Sequence, residues 1–183
     1  MAQSALPHGL PTVEEYLEME ETATVRHEYV GGMIYAMVGA TKRHNQIGLN
    51  IASRLLGAAR GGPCRVYASD VKLRASDDAI YYPDVMVACE PEDDPLVEHK
   101  PCLVVEVASP STESIDRREK MLAYRKTPTL QAYLIIAQDE RRVERHWRDE
   151  SGEWRQGEAV GEGFVPIPYP ESGLPLAEIY EGL

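Results

Sequence analysis

The stretch "YYPDVMVAC", Tyr81 to Cys89, decides how the chain is to be read. Tyr82, Val85 and Val87 give it the look of a strand bound for a core, yet Pro83 and Asp84 interrupt it. Proline in a sheet is confined to edges, strand starts or bulges, and a bulge can re-aim the next side chain into a cleft. A second apolar run, "CLVVEVASP" (Cys102 to Pro110), carries Glu106 in the same way. An ionised carboxylate among apolar strand residues is costly unless it is paired or bound to a metal, and two on neighbouring strands repel each other. A divalent cation between them removes both problems, and oxygen-only donors point to magnesium or manganese. The plainer reading makes Asp84 a turn residue and Glu106 a satisfied core acid. Spacing alone serves both equally.

Working outward, "PTVEEYLEME" opens as a helix, with Thr12 and Glu15 spaced as a capping box. "RHEYVGGMIYAMVG" (Arg26 to Gly39) reads as a hairpin turning at Gly31-Gly32. Thr41 to Arg60 predicts a helix: Ile47, Ile51 and Leu55 recur at helical spacing, and Gly61-Gly62 ends it. Cys64–Ala75, Ala79–Ala88, Cys102–Ser109 and Leu130–Gln138 read as strands of one sheet. Between the last two, Ser109 to Thr112 form a turn and cap a polar helix over about Asp116 to Lys126. Arg141 to Gln156 reads as a late hairpin with "DESG" at its turn, and the Pro- and Gly-rich tail is expected to wrap the surface. This order defines an α/β class with a mixed central sheet flanked by helices and hairpins added at both ends. The expectation is a single domain over residues 1–183.

Composition narrows the function. Hydrophobic residues are 43% and charged residues 27%, ordinary for a globular chain. No apolar run reaches the ~18 residues of a membrane span, and "MAQSALPHGLPTVEEY" has no secretory pattern. The three cysteines are scattered without a CxxC, which argues against a disulfide framework and a zinc site. Reduced thiols in the cytoplasm, away from any membrane, are therefore expected. The net charge of −11 opposes broad binding of nucleic acid. However, acid concentrates in "CEPEDDPLVEH", while "TKRH", "DRREKMLAYRK" and "ERRVERHWR" gather positive charge. Local charge decides whether a cleft accepts phosphate. There is no GxSxG, no phosphate-binding GxxxxGK[ST] or GxGxxG, and no HExxH.

The ordered set "YVGG…H…YYPD…VVEVASPST…D…K…Y" resembles the Uma-type family of restriction endonucleases, within the PD–(D/E)xK nuclease superfamily. The resemblance covers roughly Tyr16 to Val143, and "EVxSPST" with its downstream D-x-x-x-K and Tyr is its specific part. It implies a restriction-endonuclease-like core and magnesium- or manganese-dependent cleavage of nucleic acid, DNA first, by a homodimer. Asp84 and Glu106 match the metal-binding acids. Ala108 stands where the superfamily usually has its lysine, and Lys120 from the following helix supplies a migrated one. Glu28 and His44 match an upstream acid and a helix-start histidine, and Asp116 is placed to orient Lys120. On spacing alone, Asp116 and Lys120 also suit an exposed ion pair, and His44 suits helix-start packing or capping. Lys72 is the rival lysine. The chain departs from the family pattern at "TPTLQAYLIIAQD", where Gln131 replaces an acid and Gln138 sits near the usual aspartate. The competing class is a non-catalytic nucleic-acid- or protein-binding module that keeps the nuclease fold.

Overall fold

The structure, a computed structural model, describes residues 9–109 and 116–183. Pro110, Ser111 and Thr112 of the expected helix cap lie outside them. Thr12 caps α1 (Val13–Glu21) in a capping box with Glu15. The hairpin β1 (His27–Val30) and β2 (Met33–Ala36) turns at Gly31 and Gly32, both at positive φ (56° and 87°). That backbone suits glycine and matches the tight turns that hairpins prefer. Thr41 caps α2 (Lys42–Ala59), whose Ile47, Ile51 and Leu55 are fully buried.

The two long runs after α2 each serve two sheets rather than one. Cys64–Ala75 divides into β3 (Arg65–Ala68) and β4 (Lys72–Ser76); Ala79–Ala88 divides into β5 (Ala79–Tyr81) and β6 (Val85–Ala88). The breaks coincide. Ser69, at φ 56°, donates its backbone N–H to the Asp84 carbonyl. Across from it, Pro83 has no N–H to give a ladder. The paired arms therefore bend together from one sheet into another.

After β7 (Val97–Glu98) come β8 (Pro101–Val107), a π-helical turn (Asp116–Lys120), α3 (Met121–Lys126), β9 (Ala132–Ile136), β10 (Arg142–Arg148) and β11 (Trp154–Val160). One sheet runs β2-β1-β5-β4-β7 and the larger runs β11-β10-β9-β8-β6-β3. The larger sheet is mixed, with β8 and β9 parallel and β6 antiparallel to β8. None of the four expected strand runs is helical. Beneath one face of this sheet lies α2; on the other, Met86, Val104 and Tyr133 meet Leu73, Tyr81 and Tyr124 from the smaller sheet and α3.

Two expectations are corrected. The tail does not merely wrap the surface. It forms β12 (Phe164–Ile167), β13 (Ser172–Pro175) and α4 (Leu176–Ile179), and buries Val165, Ile167, Leu174, Leu176, Ile179 and Tyr180 against α2 and the large sheet. Its Pro and Gly content masked an alternating strand pattern. The cysteines are not all reduced: Cys64 and Cys89 form a disulfide, while Cys102 keeps a buried thiol. Arg65 pairs with Ala88 across β3 and β6, which brings these two cysteines face to face despite a sequence separation of 25. Sequence spacing cannot reveal such pairing.

Because Leu176 is fully buried in the main core, Leu176→Ala should destabilise the whole protein by about 2–5 kcal/mol. Urea unfolding followed by circular dichroism measures it. A change below about 0.5 kcal/mol, the range of surface substitutions, would return the tail to the surface.

Candidate active site

The bend delivers Asp84 to the end of β6 rather than to its middle. Antiparallel pairing of Val85 with Val105 and Met86 with Val104 sets Asp84 at the level of Glu106 on the neighbouring strand. Asp84 Oδ2 accepts the Val107 backbone N–H at 2.7 Å and faces His44 Nε2 at 3.2 Å. His44 lies in the first turn of α2, which the Thr41 hydroxyl caps by accepting the His44 N–H.

Glu106 is 4% exposed and Lys120 6% exposed, so both would be expensive alone. They are not alone. Lys120 Nζ lies 3.1 Å from Glu106 Oε1 and 3.0 Å from Glu28 Oε1, bridging carboxylates from the two sheets. The Tyr124 hydroxyl donates to Glu106 Oε1 at 2.8 Å. Lys120 and Tyr124 are four residues apart and share a helical face, so the π-helical turn and α3 cover Glu106 as one unit. The Lys120 ammonium also stands over the Tyr81 ring, 5.3 Å from its centroid. The Tyr82 N–H points to Glu28 at 3.4 Å.

The structure thus brings Glu28, Glu106 and Lys120 into contact, and sets Asp84 with His44 beside them. Asp116 lies in the π-helical turn, but its side chain is outside the described residues. Lys72 sits over the Tyr82 ring at 5.7 Å, with Arg26 at 5.9 Å.

Sequence reasoning singled out no role for Tyr124, Tyr81 or Gln138. Tyr124 had a signal in its spacing from Lys120. Gln138 had none, because its contacts are distant in sequence: its amide donates to the Ala108 carbonyl (2.7 Å), its side-chain oxygen accepts from the Thr41 hydroxyl (3.0 Å), and its carbonyl accepts from Arg43. It ties the start of α2, and so His44, to the ends of β8 and β9.

Among the described residues no cluster of three or more His, Cys, Asp or Glu side chains forms a metal site. The donor chemistry nevertheless fits a hard cation. Three carboxylates against one ammonium leave two formal negative charges, which one divalent ion would balance. A magnesium-type ion needs only one or two protein carboxylates because it retains water.

The chain matches the Uma2 family, described as "Putative restriction endonuclease", over residues 13–177. It belongs to that family, and its class is nuclease-like. Two uncharacterized proteins of Synechocystis are similar to it. One is 38% identical over 144 residues (77% of this chain, 76% of the relative); the other is 36% identical over 157 residues (82% and 88%). The fold is shared with the crystal structure of "a putative nuclease belonging to DUF820" from Anabaena variabilis. That match has a TM-score of 0.78 at 18% identity and covers 93% of this chain and 97% of that one. Among the described residues, no helix is long and apolar enough to cross a membrane.

Burial, reinforced by the neighbouring Glu106 charge, holds the Tyr124 phenol well above its usual pKa of 10.0. Burial is also the main cause that raises Tyr81, Tyr82 and Tyr16, and that pushes Tyr180 up to about 12. The folded state keeps phenolic protons that the unfolded chain releases above pH 10.0. Stability from these groups is therefore full below that pH and lost as pH rises through the folded values. Denaturation midpoints should fall above about pH 10, with Tyr16, Tyr81, Tyr82, Tyr124 and Tyr180 adding tyrosinate absorbance only as the protein unfolds. Tyr124→Phe, which takes a donor from a buried carboxylate, should cost about 1.5–3 kcal/mol at neutral pH.

Proposed function

We propose that the protein is a magnesium-dependent endonuclease that hydrolyses phosphodiester bonds of nucleic acid, DNA first. The observation that carries this reading is the buried Lys120 ammonium held between Glu28 and Glu106, with Asp84 fixed alongside by the Val107 N–H. A buried acid–acid–lysine set is expensive to maintain for stability alone. It suits chemistry in which negative charge builds up on a phosphate.

In this reading Asp84 and Glu106 hold the ion, and Glu28 supports them. Magnesium, when bound, would supply Lewis-acid activation of the phosphate and an acidified water. Tyr124 fixes the Glu106 carboxylate by donating to one of its oxygens. Lys120 offers a preorganised positive charge where the pentavalent phosphate develops negative charge. His44, part-exposed beside Asp84, orients that carboxylate and can carry a proton toward solvent. Lys72, beside Tyr82, provides local positive charge for a phosphate backbone despite the acidic whole, while the neighbouring Arg26 is paired with Asp70. Residues 1–183 act as a single domain in the cytoplasm, and cleavage of both strands of a duplex would take two copies.

The test is cleavage of supercoiled plasmid, single-stranded DNA and RNA with magnesium or manganese present. The wild type should nick at least one of them, DNA preferentially. Asp84→Asn and Glu106→Gln should each lose metal binding by calorimetry together with activity. Binding of DNA with no cleavage under any metal would favour the non-catalytic module instead.

Lys120→Met should suppress cleavage by about a hundredfold to a thousandfold while metal binding survives. Removing the shared cation from two buried carboxylates should also lower stability by about 3–5 kcal/mol without metal. Manganese should restore much of that loss by supplying the missing positive charge. A variant as stable as wild type without metal would refute this account of Lys120.

A further inference from the structure

At the other end of β6 from Asp84 the chain gathers its three cysteines. Cys64 precedes β3, Cys89 follows β6 and Cys102 is the second residue of β8, so three adjacent strands each contribute one sulfur. Cys89 stands in the middle: it is bonded to Cys64, and its Sγ lies 3.2 Å from Cys102 Sγ. The contact has a local cause. Pairing passes from Val87–Leu103 to Ala88–Pro101, which leaves Cys102 as the extra residue of a β-bulge. A bulge turns its extra side chain away from the regular pleat, here onto the neighbouring disulfide. Cys64 and Cys102 are each 7% exposed and Cys89 between them is half-buried, so the two outer sulfurs are shielded from bulk thiols.

We infer that Cys64, Cys89 and Cys102 form a thiol–disulfide exchange centre in which one disulfide moves between two positions. Cys102 loses its proton and its thiolate attacks Cys89 Sγ. The Cys89–Cys102 bond forms, the Cys64–Cys89 bond breaks, and the electron pair leaves on Cys64, which takes up a proton. One disulfide and one thiol stand on each side, so no oxidant or reductant is consumed. Burial, with the nearby Glu98 and Glu90 charges, pushes the Cys102 thiol up to about 12, which makes exchange slow at neutral pH and faster in base. Cys89 is obligatory. Strands two apart lie roughly 10 Å from each other, beyond the ~7 Å that a disulfide spans between Cα atoms. The two positions differ mechanically: one clips the edge strand β3 to β6, and the other releases that edge and clips β6 to β8.

The test needs no nuclease activity. The full-length oxidised protein is held at about pH 7 and about pH 9, quenched with acid, alkylated, digested and mapped by mass spectrometry. Both the Cys64–Cys89 and Cys89–Cys102 linkages are expected, with the mixture reached faster at the higher pH. Cys64→Ser, oxidised with glutathione, should form Cys89–Cys102 within one chain, and Cys89→Ser should form no intramolecular bond. Cys64–Cys89 alone in the wild type, with Cys102 fully alkylated at both pH values, would overturn the inference. So would two unbonded thiols in oxidised Cys64→Ser that remains folded by circular dichroism.

Discussion

The arrangement depends on one buried charge, that of Glu106. It sits on the central strand β8 between Val105 and Val107, where it is almost wholly buried. A carboxylate there demands partners, and losing one partner of such a group is far more damaging than the pair is stabilising. Lys120 and Tyr124 meet the demand from above, which obliges the helical segment that carries them to lie across β8. Lys120 then reaches Glu28 as well, which draws the smaller sheet against the larger. The same contacts that make Glu106 tolerable hold the layers in register.

Asp84 and His44 are held from two directions, by the sheets and by the start of α2. Asp84 is set by a backbone N–H on β8 and by the bend at Pro83, features of the sheets themselves. His44 arrives on a helix whose start is tied down by Thr41, Gln138 and Arg43. Glutamine at position 138, a departure from the family pattern, is well suited to this: its amide both donates and accepts, and so joins a helix cap to a strand-end carbonyl. A carboxylate there could accept from Thr41 but could not donate to Ala108.

What could be read in the sequence was local. The Thr12 capping box, the Gly31-Gly32 turn and the Ile47–Ile51–Leu55 face each depend on residues within a few positions, and each has its expected form. The mixed sheet followed from apolar runs. The division of those runs between two sheets did not, because a proline and one left-handed serine signal a break but not where the chain goes next. The tail was misjudged for a related reason: Val165, Ile167 and Leu174 are too few and too interspersed with Pro and Gly to declare a core face. The acids of the candidate site stood out in the sequence as misfits in apolar strands. Their company did not, since the bond from Lys120 to Glu28 spans half of the chain.

The bent hairpin has a consequence for the order of assembly. Glu28 belongs to one sheet, Glu106 to the other, and Asp84 to the crossing between them. Such long-range pairings form late, because closing large loops must precede the contacts that reward it. A chain with only one sheet formed holds at most a fraction of the constellation and leaves its carboxylates in water, where they need no lysine. The candidate site is therefore complete only once the two sheets have docked.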